Sequence, residues 1–455
     1  MIGRPDSLFA TTQDAARDVI SHTANVHGRW ASDTSGRSIS FDLDWFDYNN
    51  ELDQTNVIRT FGPEGDFRGT NLAQQNLSAQ RIDNLSARVD VEHPLEAVKL
   101  EYGLALTYTK TFGDQQSFNV GTGPATFDSL LSNEFLYEEN IQAIYLNASG
   151  SFGESWNWQA GLRGENTQTE SYSVTLDQRT PNDYFRLFPT LFLSHRPNDT
   201  HDFSFSYGRR INRPGFRNLN PFRLYINSNS YSEGNPFLQP SFTDRFEFTH
   251  GYRGWLRSNL FFNRTLDGHG TLFSQEPETQ VQAVLRRNYF VDYYFGVGEN
   301  ITLEAGRWSS QSQVWCYGSI TDVLPEFDVV SRNGIQLNLS SNHTFSLGEN
   351  TKLQVNAWYN APHRANVFTI AATYGLTLGV QQKIGRQLEL SLLANDIFDT
   401  GSLRSLSSVV NGVETVYGSN YANRFVRLRV QYRFGNDKIQ VRERAFGNEG
   451  VRRRS

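Results

Sequence analysis

Phe368-Thr369-Ile370-Ala371-Ala372-Thr373-Tyr374-Gly375-Leu376-Thr377-Leu378-Gly379-Val380-Gln381 sorts its side chains into two sets. Phe368, Ile370, Ala372, Tyr374, Leu376, Leu378 and Val380 leave one face, and Thr, Ala, Gly and Gln occupy the other. A period of two marks an extended strand, because successive Cβ atoms leave opposite sides of the pleat. No charge falls between Arg364 and Lys383. A spanning helix is still excluded, since it needs ~20 predominantly apolar residues and here every second one is small or polar. The run is roughly twice the ~5–6 residues of a strand in a soluble sheet. It suits a membrane-crossing barrel strand, which needs ~9–11 tilted residues with apolar side chains outward and polar or small ones inward. Asp at Leu376 is then expected to weaken the barrel more than Asp at Thr377. A heat-modifiability gel would show the difference, and equal effects would count against this facing.

The pattern recurs along the chain. Ile39, Phe41, Leu43 and Trp45 alternate with Ser40, Asp42 and Asp44, and Leu85, Ala87, Val89 and Val91 with Ser86, Arg88, Asp90 and Glu92. Tyr102, Leu104, Leu106 and Tyr108 follow, then Trp156, Trp158 and Leu162, then Phe203, Phe205 and Tyr207, then Phe242, Phe246 and Phe248. The last strand sets Val426, Leu428, Val430 and Tyr432 against Arg427, Arg429, Gln431 and Arg433. A dry core would reject that polar row, whereas a wet lumen accepts it. Tight turns fall at Asp33–Gly36, His93–Glu96, Gly153–Glu154, Pro197–Asp199, Arg253–Gly254, Ala305–Arg307, Gly348–Asn350 and Ile384–Arg386. Long polar stretches lie between them at 49–79, 111–135, 167–183, 213–239, 267–287, 320–332 and 397–421, with Ala361–Ala365 a short exception. Short turns on one rim and long loops on the other match periplasmic turns and extracellular loops.

The expected fold is therefore all-β: a transmembrane antiparallel β-barrel, incomplete, with about 17 strands starting near Thr23. First and last strands would both descend, and closure of one on the other needs an even number. Residues 1–22 lack a secretory leader's apolar core, so the chain is expected to be the later part of a longer protein.

Composition agrees. Aromatic residues make up 13%, which suits girdles at the two edges of a bilayer. The net charge of −6 gives no case for nucleic acid. Cys316 is the single cysteine, which excludes an internal disulfide framework; on its strand face it reads as a small hydrophobe. Enzymatic signals are weak and no cofactor is indicated. His22 and His27 stand an odd step apart, so strand geometry sends them to opposite faces, and the adjacent Glu138 and Glu139 diverge likewise. Gly121-Thr122-Gly123 has no following helix to make a phosphate cradle.

The specific signal lies mid-chain: Leu187-Phe188-Pro189-Thr190, Tyr207-Gly208-Arg209-Arg210-Ile211-Asn212-Arg213-Pro214, Leu219-Asn220-Pro221-Phe222 and Tyr231-Ser232-Glu233-Gly234-Asn235-Pro236-Phe237-Leu238-Gln239-Pro240. Asp90-Val91-Glu92-His93-Pro94-Leu95, Glu138-Glu139-Asn140-Ile141, Ala160-Gly161-Leu162-Arg163-Gly164-Glu165-Asn166-Thr167 and the ending Tyr432-Arg433-Phe434-Gly435 complete the set. Together they resemble the outer-membrane β-barrel family of TonB-dependent receptors. The resemblance implies a receptor that imports a small ligand (a siderophore, glycan or peptide), with outer-membrane lipid, a plug domain and the TonB complex as partners. Such barrels have ~22 strands. Residues 1–435 would be the barrel and 436–455 an Arg-rich, solvated periplasmic tail. Weak ligand-binding candidates are Arg209, Arg210, Arg213, Asn220 and Asn235. For the arginines the bland reading is pairing with lumenal carboxylates; for the asparagines it is shaping of a long loop. The alternatives from other classes are a plug-free pore or structural surface barrel, and a secreted sugar-binding protein. The two-faced strands disfavour the sugar binder.

Overall fold

The computed structural model describes residues 7–32, 35–121, 123–227, 230–275, 281–327, 333–365, 368–402, 405–410, 413–419, 423–434 and 447–454. Residues 33–34 of the first expected turn, Thr122, Gly435 and 436–446 lie outside them. Among the described residues the molecule is built on a 19-stranded sheet. Two of its members, Arg223–Asn227 and Ser230–Glu233, form a hairpin that joins the wall only by a parallel pairing with Gln282–Leu285 among the described residues. The other seventeen pair in chain order, each antiparallel to the next, from Leu8–Ala31 to Phe425–Tyr432. Among the described pairings the first strand meets only the second, and the last meets only Leu388–Asn395. An odd count leaves the two end strands parallel in direction, in line with the parity argument.

Facing follows the alternation. Phe41, Val89, Leu104 and Ile144 stand in one cross-strand row and are 49%, 44%, 56% and 63% exposed. One residue along, the row Asp42, Arg88, Ala105, Ala143 and Glu165 takes the opposite face, where Ala143 and Glu165 are buried. Large apolar side chains left outside and polar ones closed inside invert the order of a soluble protein, and lipid is the medium that rewards this. Among the described residues no helix is long and apolar enough to cross a membrane. The crossing elements are strands.

Among the described residues the expected tight turns from His93–Glu96 onward are present, and Gly153, Gly254, Gly306 and Gly385 take the positive φ that such reversals favour. Several expected loops are corrected. The connections after the second, fourth and sixth strands shrink to 62–66, 120–125 and 174–177, because strands such as Ser38–Phe61, Phe67–Pro94 and Thr126–Phe152 run 24, 28 and 27 residues. Above the bilayer both faces of the wall are wet, so the apolar alternation vanishes while backbone pairing continues. The first strand starts at Leu8 rather than near Thr23 for the same reason.

The stretch Phe368–Gln381 is also divided. Thr373–Ile384 is a wall strand, with Tyr374, Leu378 and Val380 exposed on the outer face and the Thr377 hydroxyl donating to Asn395 Oδ1 at 2.9 Å. Phe368–Ile370 joins His363–Ala365, Leu406–Val410 and Val413–Tyr417 in a separate four-stranded sheet. The short exception at Ala361–Ala365 is the entry to that sheet. Phe368 packs edge-on against Phe273, at 5.7 Å between ring centres.

Candidate functional site

The connection between wall strands His201–Asn212 and Ser241–Tyr252 does not stand out into solvent. It carries a short helix, Phe216–Leu219, and the hairpin Arg223–Asn227/Ser230–Glu233, whose second strand also pairs in parallel with Gln282–Leu285. Phe216, Leu219 and Leu238 bury against Phe46, Tyr48, Ile82, Phe135 and Tyr137. Phe46 neighbours the outward Trp45, so this contact lies on the inner face of the wall. The loop is folded into the lumen. The main-chain N–H of Asn235 donates to Asn218 O at 2.7 Å, and a Cβ on Gly234 would sit 2.1 Å from Asn220 O. No side chain fits there. Gly234→Ala should therefore destabilise the loop by about 1–3 kcal/mol, read as faster proteolysis within 213–240 than in the parent.

Ion pairs hold the loop down. Arg213 bonds to the Glu165 carboxylate, which Arg163 also meets at 2.8 Å, and Arg213 Nε lies 3.9 Å from Glu139 Oε2. Tyr137 donates its hydroxyl to Glu139 Oε2 at 3.0 Å. Burial alone would loosen the proton on Arg213, but the Glu165 carboxylate beside it reverses the effect and holds the guanidinium charged.

Between loop and wall lies a cavity of about 610 Å³. Its polar lining includes Arg17, Asn50 and Asn76 from the first three wall strands, Asn218 and Asn220 from the loop, and Arg286 from the distant strand Gln282–Ala305, which shows how far the sheet curls. Arg17 Nε donates to Asn50 Oδ1 at 2.5 Å, and Arg286 Nη1 donates to Thr271 Oγ1 at 2.7 Å.

The sequence candidates scatter. Arg213 sits in the ion-pair cluster. Asn220 lines the cavity and accepts from Asn133 Nδ2 at 3.0 Å. Asn235 donates to Arg286 O at 3.0 Å and accepts from the Phe237 N–H at 3.0 Å, a loop-shaping role. Arg209 and Arg210 line a second cavity of about 500 Å³ with Arg88, Asp90 and Arg163; Arg209 also lies over the Phe242 ring at 5.6 Å, while Arg210 is exposed. Phe242 itself is buried, near Phe188, where backbone pairing between strands Gln178–His195 and His201–Asn212 stops at Thr190 and Gly208. Arg17, Asn50 and Asn76 are not legible as site residues, because the chain before Thr23 does not read as strand and 49–79 reads as loop. Arg286 has no local signal at all.

The histidines do diverge, each against its cross-strand aspartate: His22 on Asp47 at 3.3 Å and His27 on Asp42 at 2.7 Å. Glu138 pairs outside with Lys110 at 3.2 Å while Glu139 is buried inside. Among the described residues no group of three or more His, Cys, Asp or Glu side chains is placed to hold a metal ion.

The sequence matches the Outer membrane protein beta-barrel family over residues 30–432. No curated protein matches it in sequence. Among solved structures, the pyoverdine outer membrane receptor FpvA from Pseudomonas aeruginosa PAO1 aligns with a TM-score of 0.59 at 12% identity, over 93% of this chain and 62% of that one. The ferric-catecholate import receptor Fiu from E. coli K12 gives 0.57 at 10% identity, over 94% and 75%. A chain of the FpvAI–pyocin S2 complex gives 0.51 at 12%, over 87% of this chain and 54% of its own length. The chain thus spans little more than half of that structure. At these identities the likeness is one of fold, and it is the receptor-barrel fold that the motifs resemble.

Proposed function

We propose a receptor role from one premise: the chain belongs to the Outer membrane protein beta-barrel family. Membership implies the outer membrane as its seat. In our reading, residues 1–435 are barrel wall and lumen, and the intact protein binds a small ligand and takes it up with the help of a plug and the TonB complex. The observation that supports this is the polar cavity of about 610 Å³ beside the inserted loop, of the size ligand pockets have. Siderophores, glycans and peptides are the candidate ligands, with Asn218, Asn220 and Arg286 as the groups offered to one. The solved neighbours are receptors by their own descriptions, and catalysis has no part in the proposal.

The test is uptake of labelled siderophores, glycans and peptides by cells with and without the full-length gene. Uptake should need both the gene and TonB. Uptake that ignores the loss of both would overturn the reading. The two end strands, paired on one side only among the described residues, favour a second reading as a pore completed by partner strands. Steady, TonB-independent conductance in a planar bilayer would support it instead.

A further inference from the structure

The expected solvated tail does not describe residues 447–454. Asn448 is 1% exposed, Val451 belongs to the buried cluster with Phe46, Tyr48 and Phe135, and the Arg454 side chain is 11% exposed. The short helix Glu449–Arg452 presents Val451 to the wall and Arg454 follows just beyond it, while Arg453 turns outward to Glu449 at 3.1 Å.

Arg454 is bound on every side. Its Nη1 and Nη2 reach Glu139 Oε1 and Oε2 at 2.6 and 3.2 Å, Nε donates to Pro214 O at 3.1 Å, and the guanidinium carbon stands 4.2 Å from the centre of the Phe216 ring. The Phe216 N–H donates to Arg454 O at 3.4 Å. A bidentate carboxylate, a carbonyl and an aromatic face are the groups that select a guanidinium over an ammonium. All of them belong to the wall or to the inserted loop, none to 447–454. With the arginine gone, the buried Glu139 would keep only the Tyr137 hydroxyl and an Arg213 nitrogen at 3.9 Å. A carboxylate in that position demands a cation.

We propose that this lumen carries a peptide-binding seat for an arginine, built from Glu139, Pro214 and Phe216, with an apolar notch for a small side chain three residues earlier. Residues 447–454 fill it in cis, and a peptide with the same Val-x-x-Arg spacing takes it in competition. The seat goes beyond ligand uptake and requires neither a plug nor TonB.

The test uses the full chain in detergent with Cys316→Ser and Asn448→Cys, read by the rate of maleimide labelling. Labelling should be slow, and Arg454→Ala should speed it by about 10- to 100-fold, the effect of losing hydrogen bonds to a charged group. A heat-modifiability gel on each variant shows that the wall is intact. Adding a synthetic peptide of the 447–455 sequence should speed labelling of the parent. The same peptide with alanine in place of Arg453 should act alike, and with alanine in place of Arg454 it should not. Labelling as fast in the parent as in Arg454→Ala, or a peptide effect indifferent to Arg454, overturns the proposal.

Discussion

Replacing Arg213 by Ala lowers the stability of the barrel by about 3–5 kcal/mol, the cost of stripping a partner from a buried ion pair. Glu165 is 4% exposed and keeps only the Thr167 hydroxyl at 3.4 Å and, as a cation, Arg163, whose side chain is more than a third open to solvent. Arg213 also donates to Thr167 Oγ1 at 3.3 Å, so its loss unties the inserted loop from strand Trp156–Ser173 at two points. The midpoint of the heat-modifiability transition is the readout. Arg210→Ala, three residues earlier and exposed, should stay within about 0.5 kcal/mol of the parent. Equal losses at the two positions would mean that the lumenal cluster does not anchor the loop.

Leu104→Arg is expected to cost about 2–4 kcal/mol if Leu104 meets the middle of the hydrocarbon, since a charge there has no water to solvate it. Leu104 is flanked across the sheet by Val89 and Ile144, all three exposed, and the belt continues to Phe41. Thr107→Arg, on the inner face of the same strand, should change stability by about 1 kcal/mol or less. Refolding yield into lipid vesicles and urea midpoints measure both. An inverted order of the two variants would turn the wall inside out and remove the basis of the membrane assignment.

Outer-face alternation, tight turns and strand number are legible along the chain because each is a local consequence of where water and lipid lie. A residue such as Leu104 needs no distant partner to be apolar, and Gly153 needs none to turn. Where both faces of a strand are wet that contrast disappears, and the extensions of Ser38–Phe61 and Thr126–Phe152 read as loops.

By itself, then, the amino-acid order determined a two-faced antiparallel wall, its short-turn rim and its family. Only the tertiary structure decided what fills the wall. Arg213 finds Glu165 across 48 residues and Arg454 finds Glu139 across 315. No spacing rule links such pairs, because they are chosen by the curl of the sheet. Where it curls around them, a carboxylate cut off from water must take the nearest guanidinium.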